Sequence, residues 1–216
     1  MAVVFAVQAA WLGALHPLAT GLGVPAAVAA LTLSFGPATG AHFNPLVTAS
    51  QWVRGQRDTR CMLAYMIAQF SGALVGAVAA GWLVGPGLHT AAAPLAVVVG
   101  SEVFASAGLI TIVLAASLVS GPYIGLLAVV GWLVMVNRAV PAGPFGNPVL
   151  AFSALLAPRS MTPSLVLIHV AAEVAGTLLA LVIIGVTYPR IRARQAAAES
   201  GPVAGPVVVE VHASQL

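Results

Sequence analysis

Five long stretches of this chain contain no charged side chain, and this pattern limits the folds that it can adopt. Asp, Glu, Lys and Arg are absent from residues 1–53, 61–101, 103–137, 139–158 and 174–189. A helix that crosses a bilayer needs about 20 consecutive apolar residues, so several of these stretches can each supply a span. The mean hydropathy of +1.04 also lies above that of ordinary soluble domains. The sequence therefore predicts an all-α membrane protein.

Charge and cysteine content argue against several classes of function. The eight basic side chains are all arginines, they oppose five acidic ones, and they are too scattered to form a nucleic-acid surface. The single cysteine, Cys61, can form neither an intramolecular disulfide nor a cysteine-based metal cluster. No spacing among the five histidines predicts a metal site, and no catalytic triad or carboxylate pair predicts an enzyme. We therefore expect no cofactor, no metal and no nucleic-acid partner.

Turn-forming residues divide the apolar sequence into helices of two lengths. Gly85-Pro86-Gly87 and Ser120-Gly121-Pro122 are two of the separators. Five full spans are predicted, at about 17–36, 61–84, 95–117, 122–137 and 164–188. Two shorter segments, at about 44–53 and 147–156, can cross only half a bilayer. Such half-helices occur in membranes only where they are buried in protein or line a polar cavity, so both are predicted to be re-entrant.

Both short segments begin with an Asn-Pro pair, Asn44-Pro45 and Asn147-Pro148. Asn suits the N-cap because its side chain can bond free backbone N–H groups, and Pro loses no helical bond at the first position. Two such starts predict half-helices whose positive ends meet inside the bilayer, a geometry that suits a narrow path for polar solutes and repels cations. Asn-Pro is also a plain turn signal, so each pair alone is a weak indication.

The arginines predict opposite orientations for the two short segments. One cluster lies in the loop 54–60 and another follows the last span at 190–194. Four full spans separate the clusters, so both lie on one side, which the positive-inside rule makes cytoplasmic. Arg138 and Arg159 then lie outside, beside the second short segment. The first segment would enter from the cytoplasm and the second from outside, as in an inverted repeat.

A second sequence pattern supports this repeat. Ala-Gln-Phe-Ser-Gly-Ala at 68–73 follows the first Asn-Pro, and Ala-Glu-Val-Ala-Gly-Thr at 172–177 follows the second at a similar distance. We therefore expect one transmembrane domain at 1–194, made of an incomplete repeat at 1–90 and a second repeat at 91–194. The segment 195–216 contains Gly, Pro and Ser without an amphipathic period, which predicts a disordered cytoplasmic tail.

Gly-Ala-His-Phe-Asn-Pro-Leu-Val-Thr at 40–48 closely resembles the first signature of the aquaporin, or major intrinsic protein, family. That signature reads Ser-Gly-Ala-His-x-Asn-Pro-Ala-Val-Thr; here Thr39 stands for Ser and Leu46 for Ala. The second signature is a poorer match, with Val149 in place of its final Ala. The resemblance covers about residues 14–188. It implies a multi-pass protein of the cell membrane, a passive channel for water or small neutral solutes such as glycerol, and a homotetramer in the lipid bilayer.

The resemblance also implies a set of pore residues. In the family, solutes pass in single file along backbone carbonyls and two central Asn side chains. The matching carbonyl positions here are Gly40, Ala41, His42, Gly143, Pro144 and Phe145. Asn44 and Asn147 would donate N–H groups at the centre, and the motifs are completed by Pro45, Leu46, Pro148 and Val149. Glu102 would be a structural buried acid that accepts backbone N–H bonds from the second re-entrant loop.

One filter position departs from the family. Strict water channels carry an arginine three residues after the second Asn, where this chain has Leu150, and Pro144 occupies another filter position. Without a guanidinium the outer constriction should be wider and more apolar, which permits small neutral solutes as well as water. Arg159 lies in the same outer loop and could replace that cation, although a side chain that snorkels to the membrane interface is the simpler interpretation.

The first helix and two alternative functions remain open. Family members carry a glutamate in the first helix as well as the fourth, but the position equivalent to Glu102 would precede Met1. We therefore expect a chain that lacks most of helix one, with Met1 outside, unless residues 1–15 form a short span. The alternatives to a passive channel are an ion-coupled transporter with broken helices, using Glu102 or Glu173, and a truncated homologue that does not conduct.

Overall fold

The chain folds into helices throughout the part that the structure, a computed structural model, describes: residues 22–84, 93–119, 122–140, 142–155 and 161–189. We number the helices of these ranges in chain order: α1 Gly23–Thr39, α2 Pro45–Val53, α3 Thr59–Val84, α4 Leu95–Val119, α5 Pro122–Ala139, α6 Pro148–Ser153 and α7 Pro163–Thr187. No strand occurs within the described ranges. The predicted all-α class is confirmed.

The five predicted full spans correspond to α1, α3, α4, α5 and α7. Segments Thr59–Val78, Leu95–Leu118 and Pro163–Thr187 are long and apolar enough to cross a membrane, while α1 and α5 are shorter apolar helices. The second half-helix is shorter than expected and ends at Ser153, after which the N–H groups of Ala154 and Leu155 bond carbonyls three residues back, at Ala151 and Phe152. Predictions about residues 1–21, the missing first helix and the tail at 195–216 lie outside the described residues.

Local chemistry explains where the half-helices start. Asn44 and Asn147 are extended N-cap residues, with φ of −139° and −159°. The Asn44 side chain accepts the Leu46 N–H at 2.9 Å, and that of Asn147 accepts the Val149 N–H at 3.2 Å. Pro occupies the first helical position after each cap. The Asn-Pro pairs therefore act as the helix starts that the sequence predicts.

The long helices pack around the two short ones. Helices α4 and α7 form the most extensive helix pair, α5 packs against α1 and α4, and α3 packs against α2 and α6. Gly176 lets the backbones of α4 and α7 approach closely, because a Cβ there would lie 2.1 Å from Ser106 Oγ and 2.4 Å from the Val103 carbonyl oxygen. Small residues are the usual means by which helices in lipid approach so closely.

The apolar residues divide between a central core and the outer faces. The core between α2, α4 and α7 consists of Leu46, Val47, Ile110, Leu114, Ala180 and Ile184. Large apolar side chains also cover the outward faces, for example Ile67 at 67% exposure and Val186 at 76%. Such outer faces suit a lipid environment, in which an exposed apolar side chain costs nothing.

Candidate functional site

The two re-entrant loops meet through a reciprocal pair of hydrogen bonds. The Asn44 Nδ2 donates to the Gly146 carbonyl at 2.8 Å, and the Asn147 Nδ2 donates to the Phe43 carbonyl at 3.0 Å. Each asparagine therefore uses its Oδ1 to cap its own helix and its Nδ2 to bind the opposite loop. An amide nitrogen carries two N–H groups, so one on each asparagine is left to donate elsewhere. The two half-helices consequently face each other with their N-termini.

A cavity of about 810 Å³ lies between these loops and the faces of α1, α4 and α5. The predicted pore residues that line it are Gly40, Ala41, His42, Asn44, Gly143, Pro144, Phe145, Asn147 and Leu150. The other predicted pore residues belong to the motifs but are buried and do not line the cavity: Pro45, Leu46, Pro148 and Val149. Those four start the half-helices or pack into the core, so they can act on the cavity only by positioning the asparagines.

The two loops each carry a left-handed glycine at the same position relative to the asparagine. Gly40 and Gly143 have left-handed φ values of 69° and 56°, and each lies four residues before its asparagine. Glycine tolerates this conformation at no steric cost. Both loops therefore use a glycine four residues before the asparagine, although Gly40 directly follows α1 and Gly143 lies four residues beyond the end of α5.

Two buried carboxylates hold the second loop. Glu102 accepts the Phe145 N–H on Oε1 and the Gly146 N–H on Oε2, both at 2.8 Å, and Glu173 accepts the Asn147 N–H at 2.7 Å. His169 Nδ1 lies 2.6 Å from Glu102 Oε1. Buried acidic side chains require such partners, because transfer of a polar or charged group out of water without them is costly. Three consecutive amides of the loop are therefore fixed by side chains of α4 and α7.

The first loop is held by an amide and not by carboxylates. Gln69 of α3 donates to the His42 carbonyl, and also to Thr48 Oγ1 at 3.1 Å. The Gln69 Oε1 is buried and has no hydrogen-bond partner among the described residues. Gln69 occupies the place in the first repeat that Glu173 occupies in the second, so the two loops are oriented by opposite chemistry: a donor to a carbonyl and an acceptor of an N–H.

One end of the cavity carries a nearby cation. Arg57, in the loop after α2, donates from Nε to Gln51 Oε1 at 3.3 Å, and its guanidinium lies 5.9 Å from the centre of the Tyr65 ring. His42 lies in the loop between α1 and α2, outside the spanning helices. Burial, and secondarily the charge of Arg57, lower the pKa of His42 to about 4. His42 is therefore neutral at physiological pH.

The sequence contains a signal for some of these residues but not for their contacts. Gln69 and Glu173 are matching positions of the predicted repeat, whereas His169 is one of five histidines, and the sequence assigns it no role. The sequence predicts a positively charged loop at 54–60 but not the contact between Arg57 and Gln51. The same holds for Trp132, which lines the cavity and donates from Nε1 to the Ala105 carbonyl at 3.0 Å.

Comparison with known proteins identifies similar sequences. Residues 2–123, more than half of the chain, match the family model described as major intrinsic protein. An uncharacterized aquaporin-like protein of Haemophilus influenzae is 46% identical over 22% of this chain and 22% of its own length. A probable aquaporin of Archaeoglobus fulgidus is 38% identical over 33% of this chain and 29% of its own. A glycerol uptake facilitator protein-like sequence of Lactiplantibacillus plantarum is 37% identical over 29% of each chain. The chain thus spans less than a third of the length of each of these relatives.

Proposed function

We propose, since this chain belongs to the major intrinsic protein family, that it forms a passive channel for water and small neutral solutes of about the size of glycerol. The observation that carries this proposal is the reciprocal bonding of Asn44 and Asn147, both of which line the cavity of about 810 Å³. Solutes would pass in single file by these two side chains. The apolar helices and the family make the chain a multi-pass membrane protein.

The asparagines supply what an apolar cavity lacks. A water molecule that loses its hydrogen bonds in an apolar environment is strongly disfavoured, so a conducting path needs polar groups at intervals. The second N–H of each asparagine can donate to a passing oxygen and orient it. The facing N-termini of α2 and α6 add positive potential at the same place, which disfavours cations and protons. This combination favours neutral solutes with an acceptor oxygen.

The end of the cavity near Gly143 supports a wider solute range than water alone. Pro144, Phe145 and Leu150 line it there, and none of the three side chains is a hydrogen-bond donor. A filter that lacks a fixed guanidinium has more space and less polarity. We therefore assign solutes of the glycerol class to this channel alongside water.

The positions of the acids favour a channel over an ion-coupled transporter. Both carboxylates bind amides of the second loop, and neither Glu102 nor Glu173 lines the cavity. Among the described residues that line it, none is Asp, Glu, Lys or Arg. A coupling group for protons or sodium would have to contact the path of the substrate.

We further propose a cell-membrane location, a cytoplasmic C-terminus and a homotetrameric assembly. The sidedness follows from the arginines at 54–60 and 190–194 under the positive-inside rule. The assembly and the location follow from the family resemblance. Residues 1–194 would then form one channel domain, followed by a cytoplasmic tail.

Osmotic swelling of proteoliposomes tests the proposal. Vesicles containing the full chain should swell faster than empty vesicles in water and glycerol gradients, with flux proportional to the gradient. Asn147→Ala should reduce both rates, whereas Leu178→Ala on an exposed face should not. Saturable uptake that depends on a proton gradient would establish a transporter instead. Rates equal to those of empty vesicles would establish a homologue that does not conduct.

A further inference from the structure

A guanidinium is fixed at the Gly40 end of the cavity, opposite the end where the family's filter residue is replaced by Leu150. Arg57 donates to Gln51 Oε1 at 3.3 Å, and Gln51 itself lines the cavity. A Cβ on Gly40, another lining residue, would lie only 3.3 Å from Arg57 Nη2. The charged end of Arg57 therefore lies against two residues of the cavity wall.

Further contacts keep Arg57 in this place. Its guanidinium carbon lies 5.9 Å from the centre of the Tyr65 ring, within the range of a cation–π interaction. Tyr65 is itself bound, through its hydroxyl group, to the Thr39 carbonyl at the end of α1. These contacts connect the loop after α2 to the end of α1. Because the guanidinium is planar and rigid, it loses less side-chain entropy per hydrogen bond formed than a flexible donor would.

The charge of Arg57 acts on the inside of the cavity. His42 lines the cavity, and the proximity of Arg57 contributes, after burial, to the lowering of its pKa to about 4. His42 also contacts the Tyr65 ring, with 5.0 Å between ring centres. A positive charge that disfavours protonation of a lining residue also disfavours any other cation at that point.

We propose that Arg57 is a selectivity-determining residue, which excludes small cations at the Gly40 end of the channel. It supplies there the fixed positive charge that Leu150 does not supply at the other end. Gln51 acts as its positioning residue. This inference rests on the proposed function, because exclusion has meaning only in a protein that conducts neutral solutes.

The expected size of the effect follows from electrostatics. With an effective dielectric of about 20, a unit charge roughly 10 Å away disfavours a cation on the order of tenfold. A neutral solute feels no such barrier, so loss of the charge should change cation leakage and leave water flux nearly unchanged. If Arg57 only stabilised the loop, its replacement would change cation leakage and water flux together, or change neither.

The test compares two neighbouring arginines, each neutralised, in proteoliposomes of the full chain. Arg57→Gln should raise potassium leakage on the order of tenfold over wild type while water permeability stays within about twofold. Arg60→Gln is the matched control, since Arg60 is exposed in the first turn of α3, three residues beyond Arg57, and it should behave as wild type. Arg57→Lys keeps the charge without the fork of donors and should retain most of the exclusion.

A second variant covers the case in which Arg57→Gln does not fold. Gln51→Leu removes the acceptor of the Arg57 Nε–H and should raise potassium leakage in the same direction by a smaller factor. The proposal is overturned if water flux persists and potassium leakage is the same in Arg57→Gln or Gln51→Leu as in Arg60→Gln. If wild-type vesicles conduct neither water nor glycerol, the proposed function fails first, and this inference fails with it.

Discussion

Asn44 and Asn147 each bond the residue that immediately precedes the other. The Asn44 side chain donates to the Gly146 carbonyl at 2.8 Å, and the Asn147 side chain donates to the Phe43 carbonyl at 3.0 Å. Each side chain also caps its own half-helix. The two helix starts are therefore coupled, and the loss of one asparagine weakens both loops.

This coupling predicts non-additive effects on stability. Asn44→Ala and Asn147→Ala should each lower the free energy of unfolding by about 1–3 kcal/mol, because each loses a cap and a cross-loop hydrogen bond. The double variant should lose less than the sum, with a coupling energy of about 0.5–2 kcal/mol. Thermal unfolding in detergent measures all three. Ser117→Ala removes a bond within its own helix and is the control for an uncoupled site.

The two buried acids should respond differently to the same change. Glu102→Gln leaves one oxygen for the two amides of Phe145 and Gly146, so one N–H stays buried without a partner, a cost of about 1–3 kcal/mol. Glu173→Gln keeps an oxygen that can accept the Asn147 N–H. Its new amide nitrogen can replace Glu173 Oε2, which has no hydrogen-bond partner among the described residues, so no contact is lost. The measured free energy of unfolding should be clearly lower for Glu102→Gln than for Glu173→Gln. Equal losses would mean that the amide contacts do not set the stability of the loop.

Gly176 should not tolerate replacement by alanine unless a helix backbone moves. An alanine Cβ there would lie 2.1 Å from Ser106 Oγ and 2.4 Å from the Val103 carbonyl oxygen, so α4 and α7 would have to separate. We expect Gly176→Ala to destabilise the protein by about 1–3 kcal/mol. Gly100→Ala and Gly131→Ala meet no atom within 4 Å and should be neutral or stabilising, since alanine favours helix by about 1 kcal/mol. Thermal unfolding of the three variants provides the comparison.

Local and distant features of this fold differ in how well the sequence predicts them. The half-helix starts at Pro45 and Pro148 follow from adjacent residues, because a cap and an N1 proline act within one turn. The spans follow from runs of apolar residues. In contrast, the pairing of His169 with Glu102 joins residues 67 positions apart, and nothing in either local sequence specifies it. The partner of a polar residue in a packed helix depends on how the helices are rotated, which only the folded structure shows.

The pH response of the proposed channel should reveal the environment of His42. Its pKa is lowered to about 4, so the imidazole stays neutral and flux should be constant from pH 8 to pH 5.5. The groups around it are Arg57 of the loop after α2, Thr48 of α2, and Tyr65 of α3. Arg57→Gln removes the repelling charge, so His42 should gain its proton at a higher pH than in wild type.

The lowered pKa of His42 should also make the free energy of unfolding decrease at acidic pH. Between the pKa of about 4 in the folded protein and the ordinary 6.5, the unfolded chain binds the proton and the folded protein does not. Stability should therefore decrease as the pH falls below 6.5, and His42→Gln should remove that part of the decrease. Unfolding temperatures at pH 7 and pH 5 measure it. A His42→Gln variant with an unchanged pH profile would contradict this account.

Leu150→Arg should convert the apolar end of the cavity into a narrower, cationic one. Leu150 lines the cavity, as does Asn147. The family resemblance implies that strict water channels carry arginine at this position. A guanidinium there would fill space and add donors, so glycerol permeability should fall by more than water permeability. Vesicle swelling in the two gradients gives the ratio, and Leu178→Arg on the exposed face of α7 controls for the added charge. If the ratio of glycerol to water permeability does not change, Leu150 does not contact the permeating solute.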